Sequence, residues 1–428
     1  MKILAVGLLL AGGVLAVRVA GSEEAVAPIV QVAKELYLEH PTKATAINVA
    51  AYYIGPGLER EEVHAWQAVS DTPERPKRRR SPDNARTWSE FEPVPDIVTQ
   101  EHGARVYWGG GAPFYDPATD VSVCIWLRQT YVKKTYYNQC FSRLSHDNGR
   151  TWSEPKQLRY EPGAEFDPAN PLDPDFLEHN QAYVGNTIIR HTNGTLIHCG
   201  ASVNVPYVNE EGKSFHPWFP ADAKNIGSVC FIGKWDPDGK DYEWTAGKPV
   251  WVPLKVSSRG LLEPELAELE DGRVLVIWRG SDSPITPGRK WFSVSEDGGL
   301  TLSPVAELKY DDGSRFYSPS SFHRMLRSRV TKKLYWFGNI CTSPPSGNSP
   351  RYPLIVAEMD ETIPALKRNT VTVIDDRGPG DDARVQLSNF SLLENRETRE
   401  VEIYLTRLGA DPNDFWASDA YKYTLTFK

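Results

Sequence analysis

Cysteine is scarce in this chain of 428 residues, and the number of cysteines is odd. The five are Cys124, Cys140, Cys199, Cys230 and Cys341. Such a set is not the disulfide framework of a small secreted scaffold, so buried free thiols are the expected state. One bridge between Cys124 and Cys140 stays open, because these two lie on successive strand-like segments. No Cys/His cluster has zinc spacing, and the sequence predicts neither a metal site nor a cofactor.

Positive charge is also in short supply. Lys and Arg number 48 against 56 Asp and Glu, which gives a net charge of −8. The basic footprint of a nucleic-acid-binding protein is therefore missing. The one basic run, residues 77–80, is short and leads into a turn, as a solvated strand end does. Nucleic acid is not expected as a partner.

Long hydrophobic runs are absent except at the N-terminus. There, Lys2 precedes an apolar stretch over residues 3–17, followed by small residues such as Ala20 and Gly21. This pattern is typical of a secretory signal peptide, and the stretch is shorter than the ~20 residues of a membrane span. We expect residues 1–21 to be a signal and the mature chain to be secreted or periplasmic, without stable membrane association. An uncleaved N-terminal anchor is the alternative.

Aromatic side chains, by contrast, are abundant. They make up 11% of the residues, with 13 Trp and 19 Tyr. Aromatic residues fill the half-buried surfaces of β-sheets, so the composition favours an all-β fold. The same rings also suit sugar binding, in which they stack on pyranose faces.

One turn-like pattern, S-x-D-x-G-x-T-W, occurs three times. The copies begin at Ser81, Ser145 and Ser295. The first copy has Ala85 in place of the glycine, and the third copy has Leu302 in place of the tryptophan. In such a turn the Asp caps backbone N–H groups and the Gly supplies a positive φ. The first two copies are 64 residues apart. A repeat of about 65 residues has the size of one four-stranded propeller blade.

The repeat predicts an all-β fold, a six-bladed β-propeller of four-stranded antiparallel blades. About 400 mature residues divided by about 65 gives six blades. Degenerate copies of the turn at residues 234–244 and 356–360 fill the remaining intervals. One of the late strands, at residues 400–407 or 421–427, is expected to close the ring by pairing with a strand around residues 46–53.

The repeated turn resembles the Asp-box of sialidases (neuraminidases), which fold as six-bladed propellers. The resemblance implies one sialidase-like, BNR-repeat propeller domain over residues 22–428. Asp-boxes lie away from the active site of those enzymes, so the chemistry has to be inferred from other residues.

The segment from Glu263 to Arg279 carries the most specific part of the resemblance. It is similar to the sialidase segment in which a Glu precedes an arginine of the carboxylate-binding triad by 16 residues. The resemblance implies that Glu263 tunes the nucleophile and that Arg279 binds a carboxylate over the central funnel. Arg351 resembles another triad arginine. Asp71, ten residues before Ser81, lies in a loop comparable to that of the acid/base aspartate.

Two positions depart from the family pattern. The region of the first triad arginine offers only Lys43, and a lysine cannot make the bidentate fork to a carboxylate. The position of the catalytic tyrosine holds Leu387. The nucleophile that sets sialidases apart from two-carboxylate glycosidases would therefore have to come from another segment.

Two other segments offer replacements. Tyr317 lies between the two arginines in a loop expected to face the funnel, where it would act as nucleophile or base, with Arg315 as an extra carboxylate ligand. His179 and Tyr183, four residues apart, form a second acid/base pair of a kind that works near neutral pH.

Convergent arginines in an acidic protein indicate an anionic ligand. The leading hypothesis is an exo-acting glycoside hydrolase of sialidase type, which removes a terminal carboxylated sugar, sialic acid by the resemblance. A lyase acting on uronate-containing glycans and a non-catalytic glycan-binding propeller are the alternatives. The expected partner is a carboxylated glycan or oligosaccharide, and a ring that closes on itself suits a monomer.

Overall fold

Almost all of the regular secondary structure in the described residues is β-strand. In the computed structural model the described residues are 27–94, 98–111, 113–133, 135–207 and 224–428. Among these, one short α-helix (α1) covers Pro174–Glu178 and one 3-10 turn covers Arg368–Thr370. The expected signal, residues 1–21, lies outside the described residues. No helix in the described part of the chain is both long enough and apolar enough to cross a membrane.

Six antiparallel sheets follow one another along the chain and form the six blades predicted from the repeat. The strands, in chain order, are β1 (Val30–Leu38); β2 (Ala46–Tyr53), β3 (Arg60–Gln67), β4 (Pro73–Ser81) and β5 (Glu92–Pro93) in blade 1; β6 (Val98–Glu101), β7 (Ala104–Gly110), β8 (Phe114–Asp116), β9 (Val121–Val132), β10 (Thr135–Ser145) and β11 (Lys156–Gln157) in blade 2; β12 (Ile188–Arg190), β13 (Leu196–Asn204), β14 (Asn225–Asp236) and β15 (Asp241–Ala246) in blade 3; β16 (Leu262–Glu268), β17 (Val274–Arg279), β18 (Lys290–Ser295) and β19 (Ala306–Glu307) in blade 4; β20 (Arg324–Arg327), β21 (Leu334–Asn339), β22 (Leu354–Asp360), β23 (Ala365–Leu366) and β24 (Thr372–Asp375) in blade 5; and β25 (Ser391–Glu394), β26 (Val401–Thr406) and β27 (Ala420–Phe427) in blade 6.

Four blades have four strands, and two carry additions. In blade 2, β7 and β8 together pair with β9 as one interrupted inner strand, and β6 pairs with β7 as an extra strand. In blade 5, β24 pairs with β22 beside the four-stranded path. The predicted blade is therefore the basic unit, and the additions to blade 2 enlarge the edge of the ring next to the site described below.

The ring closes through the N-terminal strand. Val30–Leu38 pairs antiparallel with Ala420–Phe427 and becomes the fourth strand of blade 6. The prediction that Ala46–Tyr53 closes the ring is wrong, because that strand pairs with β3 as the first strand of blade 1. Blades 1 and 6 are also joined by a buried ion pair, in which Arg60 Nη1 lies 2.8 Å from Glu402 Oε2.

The three repeated turns have one hydrogen-bond pattern and one place in the blade, between the third and fourth strands. In the second copy, Ser145 Oγ donates to Asp147 Oδ1 at 2.8 Å, and Asp147 Oδ1 accepts from the Thr151 N–H at 2.8 Å. Gly149 adopts a φ of 74° there, and Ala85 adopts a φ of 70° at the matching position of the first copy. Ala85 therefore takes the strained left-handed conformation that glycine adopts at lower cost.

Apolar side chains pack between neighbouring blades. One buried cluster joins blades 2 and 3, and others join blades 3 and 4, 4 and 5, 5 and 6, and 6 and 1. Blades 3, 4, 5 and 6 therefore bury both faces of their sheets against neighbouring blades. All five cysteines are free and buried, as expected. Cys124 and Cys140 are not bridged, because the register sets them opposite Arg143 and Leu127.

Candidate functional site

One end of the propeller has a pocket of about 410 Å³ at the axis. Its walls come from five blades: the inner strand of blade 2, the segments that precede the inner strands of blades 3, 5 and 6, and the start of the inner strand of blade 4. Tyr107, Tyr183 and Glu263 are among its lining residues. The repeated turns lie at the other end of the blades, so they do not contribute to this pocket.

Glu263 and Arg279 meet at this end of blade 4, as the sequence predicts. A β-bulge between Leu262 and Glu265 interrupts the pairing of β16 with β17, and Glu263 adopts a φ of 42° within it. Positive φ is rare for a residue other than glycine, and bulges re-aim side chains near functional sites. Here the bulge brings Glu263 Oε1 onto Arg279 Nη1 in a short ion pair.

Arg351 lies next to this pair, on the loop between β21 and β22. Its Nη1 donates to Gln386 Oε1 at 2.8 Å and its Nη2 donates to the Ser320 carbonyl at 3.2 Å. Arg279 Nε donates to Ser320 Oγ at 2.8 Å. One buried serine therefore orients both guanidinium groups. Among the described residues, Arg351 Nε and Glu263 Oε2 have no hydrogen-bond partner.

Arg351 and Lys290, which lie beside Arg279, are in surroundings that destabilise their charged forms. Burial, together with the nearby Arg279, lowers the pKa of Arg351 to about 10, although Glu263 and Asp71 act in the opposite direction. Burial and Arg279 also lower the pKa of Lys290 to about 7. Lys290 is fully buried opposite Arg279 in the β17–β18 register, and its Nζ donates to the Ser321 carbonyl at 2.5 Å. An anionic ligand would relieve this crowding of positive charge.

Asp71 and Tyr183 complete the group. Asp71 is exposed, and its negative charge acts on both Arg351 and Tyr183. Tyr183 lines the pocket together with Glu263, and burial of its hydroxyl followed by the charge of Glu263 raises its pKa. Glu263, Arg279 and Arg351 are therefore joined by an ion pair and by hydrogen bonds to Ser320, and Asp71 and Tyr183 lie within electrostatic range of them.

The two positions that depart from the sialidase pattern have structural roles of their own. Leu387 is fully buried in the core between blades 5 and 6, and its N–H donates to the Arg351 carbonyl at 2.9 Å. Leu387 therefore holds the backbone of Arg351 in place, and its aliphatic side chain cannot act as a nucleophile. Lys43 is exposed in the turn before β2.

Three predicted residues lie in other surroundings. Arg315 is 63% exposed and pairs with Glu307, on the outer strand of blade 4, so the expectation that it faces the funnel is wrong. Tyr317 packs against the Arg289 guanidinium, 5.2 Å from the ring centroid, and Arg289 pairs with the same Glu307.

His179 belongs to the end of α1. Its Nδ1 lies 2.9 Å from the Asp175 carbonyl and 3.1 Å from the Asp175 carboxylate. It therefore interacts with its own helix, and it does not form the acid/base pair with Tyr183 expected from their spacing.

Sequence reasoning missed Ser320 and Lys290. The loop that contains Tyr317 is predicted to face the funnel, but it is the fully buried Ser320 of this loop, and not Tyr317, that contacts Arg279 and Arg351. Lys290 gave no signal, because a lysine at a strand start is ordinarily exposed. The described residues contain no group of three or more His, Cys, Asp and Glu that could hold a metal ion.

Six blades, turns repeated between third and fourth strands, and a carboxylate–arginine cluster at the opposite end of the axis define a sialidase-like β-propeller. The chain belongs to the BNR repeat-like domain family, whose model matches residues 77–318, more than half of its length. A comparison with curated protein sequences found no match.

Solved structures of similar fold include several glycosidases. The alpha-L-arabinanase of Penicillium chrysogenum, complexed with arabinobiose, is 12% identical at a TM-score of 0.50, over 94% of this chain and 99% of that one. An alpha-L-arabinofuranosidase of Fusarium graminearum is 11% identical at a TM-score of 0.48, over 92% and 97%. The endosialidase of phage phi92 is 10% identical at 0.43, over 94% and 69%. At these identities the likeness to the arabinanase shows the propeller fold.

Proposed function

We propose that this protein is an exo-acting glycoside hydrolase of sialidase type, which removes a terminal carboxylated sugar from a glycan. Sialic acid is the first sugar to test. The proposal is carried by one observation, the convergence of Arg279 and Arg351 with Glu263, which lines the axial pocket. In line with the predicted signal, the enzyme works outside the cytoplasm, and as a monomer.

The two arginines bind the carboxylate of the sugar. Both guanidinium groups are buried and are oriented by Ser320. Because they are already ordered, little conformational entropy is lost when they bind a ligand. A carboxylate between them forms charge-assisted hydrogen bonds. It also offsets the unfavourable burial that lowers the pKa of Arg351.

The remaining groups carry the bond cleavage. Asp71 donates a proton to the glycosidic oxygen, and the Tyr183 hydroxyl attacks the anomeric carbon while Glu263 accepts the phenolic proton. The bond to the leaving group breaks, and water then hydrolyses the aryl glycoside formed with Tyr183. In that step the Asp71 carboxylate takes the proton of water and Glu263 returns its proton to Tyr183. Tyr183 has this role because it lines the pocket with Glu263.

A lyase acting on a uronate is the second candidate. The buried Leu387 at the position of the sialidase tyrosine favours it. In a lyase the arginines would hold the uronate carboxylate while Tyr183 removes the adjacent proton. The products distinguish the two candidate reactions, because a lyase forms an unsaturated uronate and a hydrolase releases a saturated reducing sugar. A glycan-binding propeller without catalysis would release neither.

The test is release of free sialic acid from an α-sialoside by the wild type, Glu263→Gln and Arg279→Ala. We expect release by the wild type and its loss in both variants. Arg86→Ala is the matched control, because Arg86 is exposed and pairs with Glu397 at the end with the repeated turns. No release by the wild type, with an unsaturated product from oligogalacturonate, would replace the hydrolase with the lyase.

A further inference from the structure

Blade 2 rises above the pocket on one side. Its strands β9 and β10 have 12 and 11 residues, whereas β17 and β18, the corresponding strands of blade 4, have six each. The extra length carries Tyr131 and Tyr136, which face each other across the β9–β10 ladder. Their ring centroids are 6.0 Å apart.

These rings continue the wall of the pocket. Tyr107, two positions along β7 from Arg105, lines the pocket together with Tyr183. The residues Tyr107, Tyr131 and Tyr136 are called the tyrosine wall below. Tyr107 and Tyr131 both act on the pKa of Tyr183, and Tyr136 acts on that of Arg259, a residue that also senses Arg279 and Glu263. The three residues of the wall are thus within electrostatic range of Tyr183 or of Arg259.

The wall is partly fixed and partly open. The Tyr131 hydroxyl donates to Gln129 Oε1, and the Arg105 guanidinium lies 5.0 Å from the Tyr131 ring centroid. Tyr136 is 56% exposed. A large aromatic ring left exposed beside a pocket is a usual feature of a binding surface.

We propose that the tyrosine wall binds a second sugar residue of the same glycan, so that the substrate is an oligosaccharide whose carboxylated end enters the pocket. This rests on the proposed function for the pocket itself. A tyrosine ring offers an apolar face to the C–H face of a pyranose and a hydroxyl to its polar rim. On the side of blade 4, Glu263 lines the pocket and is paired with Arg279, so the chemistry for the carboxylate lies across the pocket from the wall.

The wall predicts a length dependence of affinity that depends on Tyr136. We would titrate the wild type with the methyl α-thioglycoside of N-acetylneuraminic acid and the sulfur-linked analogue of 3′-sialyllactose, neither of which the proposed hydrolase cleaves, and with galacturonate and trigalacturonate. The longer member of one pair should bind more tightly by about three- to tenfold, as expected for one aromatic contact. Tyr136→Ala should remove this difference without changing the affinity for the monosaccharide, and Tyr136→Phe should keep most of it.

Tyr115→Ala is the matched control, because Tyr115 lies on β8 at the other end of β9 and bonds to Asp120. Equal affinity for the short and long ligands in the wild type, with binding that still requires Arg279, would refute the proposed sugar site at the tyrosine wall and retain the proposed function of the pocket. A length dependence unchanged by Tyr136→Ala would also overturn it. Binding of neither pair would overturn both proposals.

Discussion

Replacing Lys290 by methionine tests the electrostatics of the site through protein stability. Lys290 is fully buried, and burial and Arg279 hold its pKa at about 7 in the folded protein, against 10.5 as the ordinary value. Between these values the unfolded chain binds more protons than the folded one, so stability rises with pH. Methionine has a similar volume and no charge, so Lys290→Met removes this dependence.

The magnitude follows from the two pKa values. At 1.36 kcal/mol per pKa unit, the cost of Lys290 is about 4 kcal/mol at pH 7 and about 2 kcal/mol at pH 9. The variant also loses the hydrogen bond to the Ser321 carbonyl, at a cost of about 1–3 kcal/mol. Lys290→Met should therefore be more stable than the wild type at pH 7, and the two should differ little at pH 9.

Urea unfolding at pH 7 and pH 9 measures this directly. The wild type should gain about 2 kcal/mol relative to Lys290→Met over that interval, and other titrating groups cancel in the difference. Lys333→Met is the control, because Lys333 is half-exposed and hydrogen bonding to Glu358 raises its pKa, away from this pH window. Parallel pH profiles for the wild type and Lys290→Met would refute the reasoning.

Three further predictions concern the site, the ring and the turns. Ser320→Ala removes the acceptor of Arg279 Nε and should weaken a carboxylated ligand by about tenfold in calorimetry; unchanged affinity would show that Ser320 does not position the arginine. Glu402→Gln leaves Arg60 buried without its counter-charge and should lower the free energy of unfolding by about 3 kcal/mol, with an unchanged urea midpoint as the contrary result. Hydrogen bonds from Thr151 hold the pKa of Asp147 below its ordinary 3.8, so their stabilisation is present above that pH and is lost as the pH falls below it. Asp147→Asn should therefore lower the melting temperature at pH 7, by an amount that shrinks on acidification; a constant difference would argue against this.

The repeated turns made the fold predictable, since each one marks the passage from the third to the fourth strand of a blade. Local hydrogen bonds fix such a turn, and local sequence records them. Glu263 and Arg279 were predictable for a similar reason. They lie at the open end of one β-hairpin, at the start of β16 and the end of β17. Pairing of these two strands is enough to bring them together, and it requires no contact with other parts of the chain.

Features set by distant parts of the chain were harder to predict. Ring closure depends on which terminus reaches the open edge of blade 6, and strand patterns do not encode this. Tyr317 and Arg315 lie in the predicted loop, but Glu307 and Arg289 of the neighbouring blade draw their side chains outward. The role of Lys290 depends on burial, which appears only when the blades are assembled.

The central claim is that Arg279 and Arg351 bind a carboxylate, and calorimetry with a matched ligand pair tests it most directly. The pair is the methyl α-glycoside of N-acetylneuraminic acid and its methyl ester, which differ only in the negative charge. We predict that the wild type binds the acid at least about tenfold more tightly, as one charge-assisted fork requires, and that Arg351→Ala abolishes the difference. Equal binding of acid and ester, or binding of neither, would contradict the account.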